Sequence, residues 1–245
     1  MKFCVVLQAR LGSKRLPSKI LKKIYKNHSS LSFLVNNIKN SNNNIVVATT
    51  LKTKDNKIIH WCKKNKINYF RGSENNVFER YEKTSKKYKI KNVIRLTSDC
   101  PLIDFQLLKK MKKIYLSKKL DYISNTLPIE KSKFPNGSDI EIFKTSLFQK
   151  YKKISDKDKE HVTNLFWKDK KIKKMIYPSN KNLSHIRYTL DYQEDLIVIK
   201  KIINFLKNNK KKITYTNISN FLIRNPQIMN LNKSANNIFQ GNKIK

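Results

Sequence analysis

Glycine is nearly absent, with four in 245 residues. A chain this poor in glycine offers neither the G-x-G-x-x-G turn of dinucleotide-binding folds nor the Walker loop around a phosphate. Cysteine is scarcer still. Cys4, Cys62 and Cys100 are widely spaced and lie in apolar or strand-end contexts. They form no metal-binding spacing and fit a reducing cytoplasm, with Cys4 and Cys62 as core residues. No apolar run approaches the roughly 20 residues that a membrane span needs. The first residues run straight into a strand pattern and show no signal-peptide h-region, so a cytoplasmic protein is expected. With 39% hydrophobic residues the chain can bury one sizeable core, and nothing in it forces a second domain.

Acidic residues are also few: 17 against 54 basic ones, a formal net charge of +37. Such an excess invites a nucleic-acid reading, because clustered Lys and Arg make a phosphate footprint. The distribution argues against it. Lysines are spread over nearly every helix pattern, and a spread of flexible point charges is a solvated face. Only seven basic residues are arginines, and Arg10, Arg15, Arg71, Arg95 and Arg187 fall in or beside strand-end segments. There a planar fork for phosphate or carboxylate matters. Gly12, Gly72 and Gly137 sit in those same segments.

The chain is organised around its opening. Lys2–Leu7 is a short apolar, β-rich run that empties into Gln8-Ala-Arg-Leu-Gly-Ser-Lys-Arg-Leu-Pro-Ser-Lys19. This reads as strand, basic loop, helix. In an open α/β sheet, ligands sit beyond the carboxyl ends of strands. The loop offers backbone N–H groups around Gly12 and Ser13, with Arg10, Lys14, Arg15 and Lys19, so its natural ligand is a polyanion such as a triphosphate. A solvated basic turn is the plain alternative.

Further along, Ser18 or Lys19 to Lys26 predicts one or two helical turns, and Leu31–Asn40 has helical apolar spacing. Ile45–Thr50 reads as a buried strand, Asp55 as the cap of the next helix, and Ile67–Phe70 as a third strand. Arg71-Gly-Ser-Glu74 follows, either as a second wall of a nucleotide pocket or as a strand-to-helix turn. Asn92–Thr97 is a strand ending in Ser98-Asp99-Cys100-Pro101, and Asp104 opens a long helix. Leu120–Asn125 is a strand, and Phe134–Phe143 a turn running into an alternating strand with Asp139 and Glu141 on one face. A helix is expected over Thr145–Lys153. Ser184–Asp191 reads as a strand ending in an acid, before a clear helix from Tyr192 to Lys207. Asp191 is then either a ligand or that helix's N-cap. The alternation predicts an α/β fold with a mostly parallel, doubly wound sheet and right-handed crossovers. Residues 1–225 form the expected single domain, and 226–245 an Asn- and Lys-rich loose tail.

The opening loop resembles the nucleotide-binding signature of the cytidylyltransferase superfamily that makes CMP-activated acidic sugars, especially the branch of spore coat polysaccharide biosynthesis protein F. The likeness extends in order through Arg71–Glu74, Thr97–Asp104, Pro135–Asp139, Glu160–Thr163 and Arg187–Asp191. Two positions depart from it: Lys14 and Ser18 stand where the family usually has Thr and Gly. The resemblance implies a Rossmann-like nucleotidyltransferase fold with an inserted β-hairpin, around Phe134–Phe143, for acceptor or dimer contacts. It implies that Gln8, Ala9, Arg10, Gly12, Ser13, Lys14, Arg15 and Lys19, with Arg71, Gly72 and Ser73, bind the nucleotide. Arg10, Lys19, Asp99 and Asp191 would carry catalysis, and Asp99 and Asp191 would hold Mg²⁺. Asn125, Asp139, Glu141, His161 and Arg187 would face the acceptor. The expected activity is Mg²⁺-dependent transfer of CMP from CTP to the anomeric hydroxyl of an acidic sugar, in a homodimer, without nucleic acid or membrane partners. A sugar-phosphate nucleotidyltransferase using another triphosphate and a basic nucleic-acid-binding protein are the competing readings.

Overall fold

The computed structural model describes residues 2–151 and 154–233. The chain opens with β1 (Phe3–Gln8), then a single 3-10 turn (Lys19–Leu21) and a small ribbon of β2 (Lys23–Tyr25) and β3 (His28–Ser29). α1 (Ser30–Asn40), β4 (Ile45–Thr50), α2 (Asn56–Lys64), β5 (Asn68–Gly72), α3 (Val77–Lys87), β6 (Asn92–Thr97) and α4 (Phe105–Ser117) follow. The second half holds β7 (Tyr122–Ser124), β8 (Glu141–Lys144), α5 (Asp156–Glu160), α6 (Asn164–Lys168), β9 (Lys174–Ile176), α7 (Gln193–Asn208), α8 (Tyr215–Arg224) and α9 (Pro226–Met229).

Seven strands form one twisted sheet in the order β5-β4-β1-β6-β8-β7-β9. β5, β4, β1 and β6 are mutually parallel, as the helix-separated apolar runs require. β8 runs antiparallel to both its neighbours. The segment around Phe134–Phe143 thus leads into a strand of the main sheet, and the ribbon set apart from that sheet is β2–β3. One face of the sheet packs Val5, Leu7, Val47 and Ile94 against Leu34 and Ile38 of α1, Ile58 of α2, and Leu107 and Met111 of α4. The other packs Val6, Val46 and Val93 against Phe78 and Tyr81 of α3 and Phe166 of α6. A third cluster, at the carboxyl rim, joins Leu16 and Leu102 to Tyr188, Leu190 and the inner faces of α7 and α8.

Several local expectations are corrected. Beyond the 3-10 turn, Lys19–Lys26 becomes β2, and Ser18 adopts a left-handed φ of 54°. Thr145–Lys150 is 3-10 helix, while residues 152 and 153 lie outside the described residues. Ser184–Asp191 makes only an isolated bridge, Arg187 beside Asn136. Residues 226–233 are not loose: α9 and a 3-10 turn (Asn230–Asn232) follow α8, and only 234–245 of the expected tail lie outside the described residues.

The shortage of glycine has a structural answer. Five helices end in the same reversal, with a left-handed residue two positions past the last helical one: Asn42, Lys66, Lys89, Lys119 and Lys210, at φ of 49–55°. The next amide in each case donates back to the helix, from Asn43 to Ile38, Ile67 to Cys62, Ile90 to Ser85, Leu120 to Tyr115 and Lys211 to Leu206. Glycine usually fills this position because its missing Cβ removes the steric penalty. Here lysine does so four times in five, and Ile67, Ile90 and Leu120 supply the apolar contact that follows the reversal.

Candidate active site

The carboxyl ends of β1, β4 and β6 define the rim. Ala9 N–H still donates to Ala48 at 3.1 Å, and the chain then leaves the sheet. The loop is anchored by Asp55, which does not cap α2. Its buried carboxylate accepts from Leu11 N–H at 2.8 Å and from the Thr50 hydroxyl. At Gly12 the tips of two flexible side chains come close, and a Cβ there would lie 2.9 Å from Lys54 Nζ and 3.2 Å from Glu74 Oε1.

Lys19 returns the loop to the rim. Its Nζ donates to Asp99 Oδ2 at 2.9 Å and to Asp191 Oδ1 at 2.7 Å. The two aspartates are 92 positions apart in the chain, and Leu190 N–H, donating to the Asp99 carbonyl at 2.8 Å, draws their segments together. Arg15 adds a second cation, 3.0 Å from Asp191 Oδ1 and stacked 5.0 Å over the Tyr192 ring. Beneath them Arg187, only 3% exposed in its side chain, forks onto Asp191 at 2.9 Å and onto Asp195 at 3.1 Å. Asp195 also accepts from the amides of Asp191 and Tyr192, at 2.8 and 2.9 Å, so it caps the start of α7 from within. That leaves the Asp191 carboxylate to the cations at the mouth, and the capping is done by Asp195.

Burial alone would raise both carboxyls. Lys19 outweighs it at Asp99, and Lys19, Arg187 and Arg15 outweigh it at Asp191, so both lie below the usual carboxylate value, Asp191 far below. Burial works against the Lys19 ammonium in the same way, and the two carboxylates overcome it and hold its pKa up. At Asp139, burial prevails and the carboxyl is raised, with the nearby Asp99 charge adding to the rise. Asp139 accepts from Gly137 N–H at 3.0 Å and lies 3.7 Å from the Cys100 thiol, whose other side is 3.8 Å from Asp99.

The other half of the mouth is looser. Arg10 extends to Glu74 at 3.6 Å, which Lys52 also approaches at 3.7 Å. Lys14 is exposed, and Ser13 Oγ accepts from Leu16 N–H at 3.4 Å. Gln8 Oε1 is buried at the strand end with no partner among the described residues. Arg71 serves as a staple: Nε reaches the Thr50 carbonyl at 3.0 Å and Nη2 those of Leu51 and Lys52 at 2.8 and 3.3 Å. Gly72 lies against Arg80, whose Nη1 donates to the Ser73 carbonyl at 2.6 Å.

Three residues expected at the acceptor are committed to the interior. Asn125 is fully buried and ties Ser138 and Ile140 to the end of β7. Glu141 pairs with Arg95 and accepts from the Tyr122 hydroxyl at 2.8 Å, across three neighbouring strands. Arg187 supports Asp191 from below, as described. His161 is exposed on the connection between α5 and α6. Sequence reasoning gave Asp55 a helix cap and missed Asp195 and Asn232; all three are buried polar residues that brace the rim. The one local signal was an acid in the first turn of α7.

Two carboxylates closed around one ammonium, with the exposed cations Arg10, Lys14 and Arg15 on the loop above, can exchange that ammonium for another hard cation or for an anion-bound metal. Among the described residues, no group of three or more His, Cys, Asp or Glu is placed to hold a metal by itself. No helix among them is long and apolar enough to cross a membrane.

An open, mostly parallel sheet with a basic loop and paired aspartates at its carboxyl rim defines a nucleotidyltransferase of the α/β class. The chain belongs to the cytidylyltransferase family, which it matches over residues 4–221. A cytidylyltransferase structure from Leptospira borgpetersenii is similar at 33% identity and a TM-score of 0.84, covering 94% of this chain and 97% of that one. An uncharacterized protein of Methanocaldococcus jannaschii is 32% identical over 96% of each chain. Spore coat polysaccharide biosynthesis protein SpsF of Bacillus subtilis is 28% identical over 90% of this chain and 94% of its own.

Proposed function

We propose that this cytidylyltransferase transfers CMP from CTP to the anomeric hydroxyl of an acidic sugar of the nonulosonate or octulosonate kind, releasing pyrophosphate. The product would feed surface polysaccharide or glycan synthesis, in keeping with the name of the Bacillus relative. The observation that carries the reading is the meeting of Asp99 and Asp191 on Lys19 at the end of the basic loop. The three free, buried cysteines favour a reducing cytoplasm as its setting.

The sugar oxygen attacks the α-phosphorus, the bond to the bridging oxygen of the β-phosphate breaks in line, and the hydroxyl proton leaves. Such a step asks the protein to hold the triphosphate, neutralise charge and orient the attacking oxygen. Arg10, Lys14 and Arg15, on the exposed loop, would grip the phosphates as they arrive. Lys19, anchored at the rim, would follow the charge onto the α-phosphate. Asp139, the one acceptor candidate beside Asp99, would orient the sugar hydroxyl. The donor set fits Mg²⁺, which takes one or two carboxylates and completes its shell with phosphate oxygens and water. Bound by Asp99 and Asp191, it would withdraw charge from the α-phosphate and acidify the hydroxyl.

The test is pyrophosphate release from CTP and Mg²⁺ with a panel of acidic sugars. Release confined to CTP and such sugars is the expected result. Absence of CTP binding by calorimetry would overturn the proposal, and release insensitive to Asp99→Asn would remove the metal role. Preference for UTP or GTP with a sugar phosphate would move the chain to a different donor class.

A further inference from the structure

We infer that the segment after α8 is a strut of the active site, and that Asn232 is a positioning residue for Asp191. Asn232 lies beyond the span matched to the family, and its surroundings show what holds it. The 3-10 turn of Asn230–Asn232 folds back on α7, and Asn232 is 3% exposed. Its Nδ2 donates to Asp195 Oδ1 at 2.7 Å and reaches the Arg187 carbonyl at 3.4 Å.

Asp195 is fully buried and receives five donors: Arg187 Nε and Nη2, the amides of Asp191 and Tyr192, and Asn232. Asn232 and Arg187 Nε share Oδ1, while the two amides and Arg187 Nη2 share Oδ2. Rotation of the carboxylate would therefore break the cap on Asp191 and the fork of Arg187 together. Asn232 is the one donor of the five that comes from outside the 187–195 segment, so it locks the carboxylate against the rest of the molecule. Through it, a residue that never reaches the mouth fixes the backbone and the guanidinium that aim the Asp191 carboxylate at Lys19.

The inference rests on the proposed function for its catalytic consequence, and its test is built to separate the two. In Asn232→Ala, amide hydrogen exchange at Asp191 and Tyr192 is expected to accelerate about tenfold relative to strand amides such as Ile94, the size expected when local opening loses one hydrogen bond to a charged group. The Mg²⁺–CTP concentration giving half-maximal pyrophosphate release should rise by a similar factor, with kcat little changed. Asn232→Ser, which keeps a donor in a smaller side chain, should show the same ordering at smaller amplitude and serves if the alanine variant does not fold. Exchange at the two amides that is unchanged, or that rises only in step with the strand amides, overturns the strut. If the wild-type chain releases no pyrophosphate from CTP, the proposed function falls, and the exchange measurement alone decides the role of Asn232.

Discussion

The two halves of the mouth are built on different principles. On the Asp191 side the charges interlock: Lys19, Asp191 and Arg187 are 11%, 14% and 3% exposed in their side chains, and their contacts run from 2.7 to 3.1 Å. On the Arg10 side the pairs are long and wet, at 3.6 and 3.7 Å, with Arg10 46% and Lys52 61% exposed. Desolvated pairs hold a geometry because losing one partner strands a buried charge, whereas exposed pairs are screened and shift at little cost. The first half thus holds its geometry through buried charge. The second is held only by screened, exposed pairs.

The sharpest way to break this contrast is Asp195→Ala. It leaves the Arg187 guanidinium underpaired and strips the amides of Asp191 and Tyr192 of their acceptor, so a loss of about 3–5 kcal/mol is expected in urea denaturation. Asp55→Ala comes next. Removing the acceptor of Leu11 N–H and of the Thr50 hydroxyl should destabilise the chain by about 2 kcal/mol and raise the KM for CTP, since the loop loses its anchor.

Acid and base sharpen the comparison further. Asp99 and Asp191 lie below the ordinary carboxylate value of 3.8, so their contribution is complete above that pH and is lost as pH falls through their folded values. Lys19 lies above 10.5, so its contribution is complete below that pH and is lost as pH rises through its folded value. The urea midpoint attributable to this cluster should be flat between those limits. In Lys19→Met, burial and mutual repulsion raise the two carboxyls, and the acid decline should begin at a higher pH than in the wild type.

Two smaller effects complete the series. Ser18→Gly should stabilise the chain by about 0.5–1 kcal/mol, because Ser18 holds a left-handed φ of 54° where the related signature has glycine. Lys66→Gly, at a helix end, provides the reference for that value. Glu74→Gln should change stability by less than about 0.5 kcal/mol, with any effect on nucleotide binding fading as salt rises. A loss as large as that of Asp195→Ala would erase the distinction between the two halves.

Legibility in the sequence followed the range of the interaction. β1 and β4 were readable because a strand covered on both faces is largely apolar, and β6 because Val93, Ile94 and Leu96 keep that character around Arg95. Lys19, Asp99 and Asp191 were readable as candidates because strand-end charges have few structural uses. The pairing of Glu141 was not readable because its partner Arg95 is 46 positions away. Only the antiparallel insertion of β8 sets them opposite each other. The interior partners of Asn125 and Arg187 were hidden for the same reason: they are chosen by packing, and a polar residue looks alike in sequence whether it faces a ligand or a buried carboxylate. The Asn- and Lys-rich composition made residues 226–233 look unstructured, while one asparagine in them completes the Asp195 network.

By itself the sequence determined the alternation of strands and helices, the polyanion character of the opening loop and the candidates for its carboxylate partners, since these depend on neighbours within a few residues. It also left little glycine for the helix ends, and lysine stands in the left-handed position at four of the five reversals. Only the tertiary structure decided which aspartate meets Lys19, which arginine is a strut and which half of the mouth is rigid. Those outcomes depend on burial, and burial is a property of what the whole chain places around a charge.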